Sequence, residues 1–358
     1  MQPVILAIES SCDETSAAII RNGKVLNNVI ASQNVHQKYG GVVPELASRA
    51  HQKNILLVVN EAMSSAGISS SDLNAIAFTR GPGLMGALLV GTSFAKGMAL
   101  ALNVPLIEVN HMEAHVLAHF IESTVTPLSS HGLSGRLSRG STQVHAPYPN
   151  FPFLCLTVSG GHTQIVLVKS TTDMTVIGET RDDAVGEAFD KAARILELPY
   201  PGGPLIDKYA QAGDGTKFKF PETSMPGLDF SFSGIKTAFL YFIRDAKAAD
   251  PSFVEKNLND ICASLQQHLV RMLINRVEEA VAQTGITQVA IAGGVSANSG
   301  LRAALTAIAR QKGWEVFILP MEYCTDNAAM IAMAAHFKFL AGQFSGLDVS
   351  PIPNLEMV

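Results

Sequence analysis

The chain contains one pattern of short apolar segments twice, starting near residue 4 and again near residue 151. The first copy reads PVILAIES, TSAAIIRNGK and VLNNVIASQ, and its Asn22-Gly23 pair is typical of a two-residue hairpin turn. The second copy reads FPFLCLTVSGG, HTQIVLVKS and TDMTVIGET. Each copy predicts three successive antiparallel strands. Because such a repeat indicates a duplicated unit, we expect two lobes built on one plan.

Helical and strand patterns alternate after each copy. In the first half, QKNILLVVNEAMSSAG precedes the strand-like LNAIAFTRG, and in the second half a long helical stretch precedes TQVAIAGGVS. This alternation predicts an α/β fold in which each lobe has a mixed sheet with helices on both faces. We expect a first lobe over 1–121 and a second over 151–358, whose final helix is a candidate to pack against the first lobe.

Residues 122–150 separate the predicted lobes. This stretch, ESTVTPLSSHGLSGRLSRGSTQVHAPYPN, is rich in Ser, Gly, His and Pro and has no apolar periodicity. Such a composition is typical of a loop. We expect a mobile insertion near the lobe boundary.

Charge and hydropathy argue against some classes of partner. The formal net charge is −5, with 47% hydrophobic and 16% charged residues, so no overall basic field attracts the chain to nucleic acid or an anionic membrane. The most apolar stretch, Gly83 to Leu102, contains Lys96 and several small polar residues, which favours a buried helix over a membrane span. The first residues lack the basic segment of a signal peptide, so we expect a cytoplasmic protein.

One helical stretch in the first half carries two histidines one turn apart. Asn110 is a typical helix cap, and HMEAHVLAHFIE follows it. His111 and His115 therefore share one face, with roughly 5–6 Å between their Cβ atoms. This spacing suits one divalent metal bound by two neutral imidazoles, and two structural histidines are an equal alternative. His119 continues the series and is a candidate third ligand.

Zinc peptidases use the same histidine spacing, but in them a glutamate directly follows the first histidine. Here Glu113 comes two residues after His111, which is about 200° around the helix. The sequence therefore argues against a metallopeptidase.

Two polar turns, one after the first strand of each copy, are candidate ligand-binding loops. In ESSCDETS, which starts at Glu9, backbone N–H groups can face a phosphate while a carboxylate binds a cation or orients a nucleophile, and we expect Asp13 to supply that charge. In TVSGG, which starts at Thr157, two glycines allow a ligand to approach the backbone closely. Ordinary polar turns are the alternative, but their repetition favours a nucleotide cleft.

Three further stretches carry candidate polar residues. Glu187 and Asp190 are three residues apart in a predicted helix and can face a sugar hydroxyl, although a surface helix is the simpler interpretation. Asn298 follows a glycine pair at a helix start, where it can bind a ring or cap the helix. Asp326 is also near a helix start, and it is either a cap or the carboxylate that completes a metal site.

The stretch GPGLMG, which starts at Gly81, matches the glycine pattern of dinucleotide-binding folds. It does not belong to the first strand–helix unit, and Arg80 and Pro82 flank its first glycine. A tight turn with close helix packing is therefore the favoured interpretation.

The motifs AIESSCDETSAAI, GPGL, NHMEAH, SGGHT, GEAFDKAARIL, PGGP, GGVSAN and DNAAMIA occur in this order along nearly the whole chain. Together they resemble those of the tRNA threonylcarbamoyladenosine biosynthesis transferase family. The resemblance implies an actin-like and sugar-kinase-like ATPase fold with two duplicated lobes and a cleft between them. It also implies transfer of threonylcarbamoyl from threonylcarbamoyl-adenylate to the exocyclic amine of the adenosine beside the anticodon of tRNAs that read ANN codons.

The same resemblance implies roles for particular residues. One divalent metal, with iron(II) favoured and zinc possible, would be bound by His111, His115 and Asp326, so that His119 leaves the ligand set. Asp13 would be needed for activity. The implied partners are tRNA, a paralogous subunit of the same fold and a P-loop ATPase. The adenylate would be bound by Thr157, Val158, Ser159, Gly160, Gly161, Asp190, Gly203, Asp207 and Asn298.

Three other functions remain open from the residues alone. A small-molecule kinase or ATPase of the same fold would need ATP and Mg²⁺ but no imidazole-bound metal. A metallopeptidase would need a general-base glutamate near its metal. A regulatory module would bind nucleotide without turnover.

Overall fold

The structure, a computed structural model, describes residues 2–33, 36, 39–122, 148–222 and 225–357. The central part of the insertion predicted at 122–150, residues 123–147, lies outside these described residues. The two sheets on either side of it are both described.

The first sheet is formed by five strands within residues 4–110. These strands are β1 (Val4–Glu9), β2 (Glu14–Arg21), β3 (Lys24–Ser32), β4 (Ala75–Gly81) and β5 (Leu106–Asn110). The strand order is β3-β2-β1-β4-β5, with β1, β2 and β3 antiparallel and with β4 and β5 parallel to β1. Asn22 and Gly23 both have positive φ between β2 and β3, which confirms the predicted hairpin turn.

The second sheet repeats this arrangement. Its strands are β6 (Phe153–Val158), β7 (Thr163–Ser170), β8 (Asp173–Glu179), β9 (Gln288–Ala292) and β10 (Glu315–Ile318). Their order is β10-β9-β6-β7-β8, which matches the first sheet strand for strand. The first three strands are again antiparallel, and β9 and β10 run parallel to β6. The duplication predicted from the two apolar patterns is therefore confirmed by the topology.

Helices cover both faces of the first sheet. The described α-helices are α1 (Pro44–Ser65), α2 (Met85–Leu102), α3 (His111–Leu117), α4 (Val185–Ile195), α5 (Gly202–Ala210), α6 (Ser233–Ala249), α7 (Phe253–Thr284), α8 (Ser299–Lys312) and α9 (Ala328–Leu340). Leu6 and Ile8 of β1 pack in one cluster with α1 and α2. Ile5 and Ala7 pack in another with α3 and α9. Because successive strand residues face opposite sides, β1 is buried on both faces.

A single hydrophobic cluster contains parts of both sheets. It includes Ile107 of β5, Phe153 of β6 and residues 328–335 of α9. The other face of the second sheet packs in a separate cluster with α4 to α8. Although α9 follows the second sheet in the chain, it contacts β1 and β2 of the first. The residues that precede α9 are thereby brought next to elements of the first half.

By length and composition, α2 is the described helix that could cross a membrane. Its 18 residues have a mean hydropathy of 1.5, and 33% of them are buried. A helix that forms part of a protein core passes the same test. Here α2 packs against α1 and β4, and it contributes Ala95 and Ala99 to the core, so it is buried along one side and not throughout as predicted.

Candidate functional site

Helix α3 begins directly at the end of β5, and Asn110 caps it. The side-chain oxygen of Asn110 accepts hydrogen bonds from the backbone N–H groups of Met112, at 2.8 Å, and Glu113, at 3.3 Å. The predicted cap is therefore confirmed. One turn apart on α3, the rings of His111 and His115 meet edge to face with their centroids 4.7 Å apart. This short helix thus presents both imidazoles to one side.

A carboxylate from much later in the chain completes this pair. Asp326 directly precedes Asn327, which is the residue that caps α9. Oδ1 of Asp326 lies 3.2 Å from Nε2 of His111 and 3.2 Å from Nε2 of His115. The ligand atoms of the three residues all lie within 4.8 Å of one another. Of the two interpretations of Asp326, its position fits the metal ligand and not the cap.

This donor set fits a divalent ion. Two imidazole nitrogens and one carboxylate oxygen are ligands that iron(II) and zinc both accept, and three protein ligands leave coordination positions open. His115 is fully buried, and its Nδ1 has no hydrogen-bond partner among the described residues, whereas its Nε2 is directed at Asp326. The arrangement could therefore hold one metal ion with room for a further ligand.

The protonation states of His111, His115 and Asp326 decide how readily they can bind a metal. Burial alone would lower the pKa of His111, but the carboxylates of Asp326 and Glu9 raise it well above its ordinary value. Burial opposes ionisation of Asp326, but the two imidazoles outweigh it and lower the pKa of that carboxyl. Burial lowers the pKa of His115. Asp326 is therefore ionised and His115 neutral, as metal ligands need to be, whereas His111 has to lose a proton when a metal binds.

A buried hydrogen-bond network fixes the Nδ1 side of the His111 ring. Its Nδ1 lies 3.0 Å from Oε2 of Glu9, a fully buried residue at the end of β1. The hydroxyl of Thr79 donates to the same oxygen at 2.6 Å, and the backbone N–H of Ser11 donates to the other carboxylate oxygen. Because Nδ1 is engaged by Glu9, Nε2 of His111 is left to face Asp326.

The sequence analysis assigned no role to Glu9. It quoted the motif that contains Glu9 but gave the functional charge to Asp13. A signal was present, because Glu9 ends the strand VILAIE, in which every residue is buried, and a buried carboxylate requires a partner.

Asp13 lies in the turn between β1 and β2, partly exposed and beside Cys12 and Glu14. Burial, and then the charges of Asp326 and Asp13, raise the pKa of Glu14 to about 9. Burial likewise raises the pKa of the Cys12 thiol. Asp13 therefore belongs to an acidic turn next to Asp326, but it is not one of the three converging ligands.

The turn after β6 has the open geometry expected of a ligand-binding loop. Thr157 and Val158 are buried at the end of the strand, and Gly160 and Gly161 are exposed beyond it. A Cβ atom built on either glycine would meet no atom within 4 Å. A ligand can therefore approach this part of the backbone without displacing a side chain.

The same turn reaches the candidate metal centre. Ser159 closes the turn, since its N–H donates to the carbonyl of His162 at 2.8 Å and its hydroxyl accepts from the His162 N–H at 3.0 Å. Burial, followed by the neighbouring imidazoles of His111 and His115, lowers the pKa of His162 to about 4. The sequence analysis gave His162 no role, although it directly follows the glycine pair.

Asp190 and Gly203 are in direct contact. In α4, Oδ1 of Asp190 accepts from the N–H groups of Gly202, at 2.9 Å, and Gly203, at 3.0 Å, which begin α5. Burial raises the pKa of Asp190 despite these bonds. Burial, and then the charges of Asp13 and Asp190, raise the pKa of Tyr200. Asp13 from the first half and Asp190 from the second therefore both lie near this tyrosine.

Asp207 and Asn298 both bind residues at the start of α8. Asp207, in α5, accepts from the N–H and the hydroxyl of Ser299 at 3.1 and 2.7 Å. Asn298 accepts from the N–H of Leu301 at 2.9 Å, and its amide donates to Gln266 at 2.8 Å. Asn298 is thus the cap of α8, and its predicted contact with a bound ring stays a prediction.

His119 does not join the three ligands. It lies in a short 3-10 turn, Ala118–Phe120, and its Nε2 donates to the backbone carbonyl of Ile291 at 3.1 Å. The metal-ligand role first considered for His119 is therefore wrong, because the bond ties the end of α3 to β9.

These features define the class of protein: an α/β protein of the actin-like and sugar-kinase-like ATPase fold that carries a candidate metal centre of two histidines and an aspartate. HypF from T. kodakarensis is similar, with a TM-score of 0.58 and 14% identity over 97% of this chain and 49% of HypF. Component A of the (R)-2-hydroxyglutaryl-CoA dehydratase of Acidaminococcus fermentans has a TM-score of 0.50 and 15% identity, over 95% and 99% of the two chains. Such low identities show the fold alone.

Sequence comparisons identify the family. The family model described as tRNA N6-adenosine threonylcarbamoyltransferase matches residues 24–141 and 131–333. The relative of that name from Cytophaga hutchinsonii is 56% identical over 100% of this chain and 97% of its own length. The one from Christiangramia forsetii is 58% identical over 97% of this chain and 96% of its own length. The chain belongs to this family, and the resemblance seen in the motifs is confirmed.

Proposed function

We propose that this protein transfers threonylcarbamoyl from threonylcarbamoyl-adenylate to the exocyclic amine of the adenosine beside the anticodon of tRNAs that read ANN codons. The observation that carries the proposal is the 56% identity, along the whole chain, to a relative named for this activity. The convergence of His111, His115 and Asp326 supports it, because a kinase or ATPase of the same fold would not need an imidazole-bound metal.

The proposal includes one divalent ion held by His111, His115 and Asp326, with iron(II) favoured and zinc the alternative. When bound, this ion supplies Lewis-acid chemistry at a phosphate or carbamoyl oxygen of the substrate. The residues around the ligands fix their geometry: Glu9 holds Nδ1 of His111, and burial of His115 keeps its imidazole neutral.

In this proposal the adenylate lies along the second half of the cleft. The open backbone at Gly160 and Gly161 admits its phosphate. Asp190 accepts from a sugar hydroxyl through the carboxylate oxygen that does not bind the start of α5. The remaining residues of the site shape the turn and the helix starts around the nucleotide, and they are Thr157, Val158, Ser159, Gly203, Asp207 and Asn298.

In this proposal Asp13 orients the attacking amine. It lies on the acidic turn beside Asp326 and, like Asp190, lies near Tyr200. In the transfer, the amine attacks the carbamoyl carbon, the bond from that carbon to the phosphate oxygen breaks, AMP leaves and the amine loses one proton. Because adenylate is a good leaving group, correct positioning of the two substrates supplies most of the acceleration.

The proposed partners are tRNA, a paralogous subunit of the same fold and a P-loop ATPase, in a heterodimer or larger complex in the cytoplasm and without a membrane. The formal net charge of −5 supports this need for partners, because binding to tRNA phosphates requires basic surface. We also propose the division into lobes at 1–121 and 151–358, with an insertion at 122–150. The packing of α9 on β1 and β2 supports its return to the first lobe.

Reconstituted transfer tests this function. The chain is combined with its proposed partners, threonine, bicarbonate, ATP, an adenylate-forming enzyme and unmodified tRNA, and the tRNA nucleosides are analysed by mass spectrometry. We expect threonylcarbamoyladenosine with the wild type and none with the His111→Ala/His115→Ala variant. His119→Gln is the matched control, since it alters a nearby buried histidine that binds the carbonyl of Ile291 and does not belong to the three candidate ligands.

Two results would contradict the proposal. Equal product from the wild type and the double variant would remove the metal from the mechanism. Absence of product with the wild type, together with ATP hydrolysis by the chain alone, would favour the kinase or ATPase interpretation.

A further inference from the structure

Residues 350–357, which we call the strap, run across the turn between β4 and α2 and reach the start of α3. The strap forms no regular helix or strand. Its backbone nevertheless makes hydrogen bonds with residues that come 246 and 270 positions earlier in the chain. The sequence analysis gave this segment no role, and the strap is outside the three-ligand group.

The first contact of the strap is with the turn between β4 and α2. The N–H of Ile352 donates to the carbonyl of Arg80 at 2.9 Å, and the N–H of Gly83 donates to the carbonyl of Pro353 at 3.0 Å. A Cβ atom on Gly81 would lie 1.9 Å from the carbonyl oxygen of Ile352. Only glycine permits this approach, which accounts for the first glycine of the GPGLMG motif.

The turn between β4 and α2 is in contact with Ser11, which lies beside Nδ1 of His111. The N–H of Leu84 donates to the carbonyl of Ser11 at 2.7 Å, and a Cβ atom on Gly83 would lie 2.5 Å from the same carbonyl oxygen. The hydroxyl of Ser11 lies 3.2 Å from Nδ1 of His111. The strap therefore contacts the turn, the turn contacts Ser11, and Ser11 contacts His111, the first proposed metal ligand.

The second contact of the strap is with Asn110, immediately before that ligand. Nδ2 of Asn110 donates to the backbone carbonyl of Glu356 at 2.9 Å, while its Oδ1 caps α3. One side chain thus links the strap to the first N–H groups of the helix that carries His111. Because α3 has only 7 residues, its own hydrogen bonds cannot fix the direction in which it starts.

We propose that the strap is a positioning element of the metal centre, which holds His111 in place through Asn110 on one side and through Ser11 on the other. This inference rests on the proposed function of His111 as a ligand. Residues that support metal ligands typically change metal affinity by about 10–100-fold when they are altered. Loosening the strap is therefore expected to weaken metal binding without unfolding the chain.

Two substitutions in the full chain distinguish an effect on metal binding from a general loss of stability. Asn110→Ser keeps a side-chain oxygen that caps α3, but serine is too short to reach Glu356. Gly81→Ala introduces a Cβ that overlaps the carbonyl of Ile352 in the strap, and it keeps Asn110 and every side chain of α3. The matched controls are Glu356→Ala, which keeps the backbone carbonyl that Asn110 uses, and Gly97→Ala, whose Cβ would meet nothing within 4 Å.

The measurement is a Co²⁺ titration of the metal-free proteins, followed through the absorption bands of the bound ion, with urea unfolding of each protein alongside. We expect an increase of about tenfold in the Co²⁺ dissociation constant for both strap variants, with unchanged values for both controls. The urea midpoints of Asn110→Ser and the two controls are expected to match that of the wild type, whereas the midpoint of Gly81→Ala is expected to fall because its Cβ overlaps the backbone of the strap.

Equal Co²⁺ affinity in all five proteins would overturn the strap inference and leave the metal centre intact. Failure of the wild type to bind Co²⁺ would instead contradict the metal centre, and with it the inference. If Gly81→Ala does not fold, Asn110→Ser decides the question, because serine caps a helix about as well as asparagine.

Discussion

The nitrogen that His111 presents to Asp326 depends on its contact with Glu9. The carboxylate of Glu9 accepts from Nδ1 at 3.0 Å and is itself held by Thr79 at 2.6 Å. This arrangement fixes one tautomer of the imidazole and directs Nε2 into the site. In the part of the chain that the structure describes, His115 has no such partner at Nδ1, so the two candidate histidine ligands are supported unequally.

Replacing Glu9 by glutamine tests this unequal support. In Glu9→Gln the neutral amide no longer attracts the Nδ1 proton of His111, so the metal-binding tautomer is less favoured. We expect a metal dissociation constant about tenfold higher than that of the wild type, measured by competition with a chromophoric chelator. Glu45→Gln, at a side chain that is 73% exposed, is the control. Identical affinity in Glu9→Gln and the control would show that the carboxylate does not orient His111.

His119 makes the stability of the protein depend on pH. Burial lowers its pKa from 6.5 to about 4, so between these values the unfolded chain binds a proton more readily than the folded one. The contribution of the neutral imidazole is fully present above pH 6.5 and is lost as the pH falls towards 4. The full contribution is about 3 kcal/mol, and about 2 kcal/mol of it is lost by pH 5.

The variant His119→Gln keeps an amide donor for the carbonyl of Ile291 and cannot be protonated. We therefore expect the wild type to lose about 2 kcal/mol more unfolding free energy than this variant between pH 7.5 and pH 5. Urea unfolding at the two pH values measures the difference. Parallel losses in the two proteins would contradict the assignment.

Among the elements, the two glycines at the junction of α4 and α5 differ in how tightly they are packed. A Cβ atom on Gly202 would lie 2.2 Å from the Cβ of Ala193, whereas one on Gly203 would have its nearest neighbour, Phe189, at 3.8 Å. Both N–H groups bind Asp190. The first glycine is therefore required by helix packing, and the second is free of that requirement.

The substitutions Gly202→Ala and Gly203→Ala form a matched pair. We expect Gly202→Ala to reduce the free energy of unfolding by about 1–3 kcal/mol, because two small residues would overlap. Gly203→Ala is expected to change it by less than about 0.5 kcal/mol and to weaken binding of an adenylate analogue. Urea unfolding and calorimetric titration measure the two effects. A large loss of stability in Gly203→Ala would make that glycine a packing residue.

Local patterns predicted the elements of this fold well where neighbouring residues decide the structure. Asn22-Gly23 forces a hairpin, and Asn110 caps α3 through an oxygen two and three residues from its partners. The meeting of Asp326 with His115 joins residues 211 positions apart; the residues alone left Asp326 as either a cap or a metal ligand, and only the family resemblance chose between them. Glu9 and the strap were not predicted, because their contacts with His111 and Asn110 arise from packing between distant segments.

At the scale of the whole molecule, α9 determines how the candidate site is assembled. It follows the second sheet in the chain but packs on the first, with its residues 328–335 fully or almost fully buried. This packing places Asp326, just before the helix, beside the histidines of α3. The candidate centre therefore depends on the docking of one helix across the two halves.

Recognition of tRNA is a property that we expect of the assembled complex. With a formal net charge of −5, the chain alone lacks the excess of basic residues that drives binding to phosphates. We expect the proposed partners to lower the dissociation constant for tRNA by at least about tenfold at 150 mM salt. Filter binding with and without the partners measures this. Equally tight binding by the chain alone would place a sufficient basic surface on the chain itself.

In the proposed function, the ion held by His111, His115 and Asp326 is required for transfer to tRNA. The most direct measurement is reconstituted transfer with the chelator-stripped wild-type protein, to which iron(II) or zinc is returned in steps up to one ion per chain. We predict no threonylcarbamoyladenosine from the stripped protein and a linear recovery that ends at one equivalent, with no recovery in Asp326→Ala. Full activity of the stripped protein, or equal recovery in Asp326→Ala, would contradict the claim.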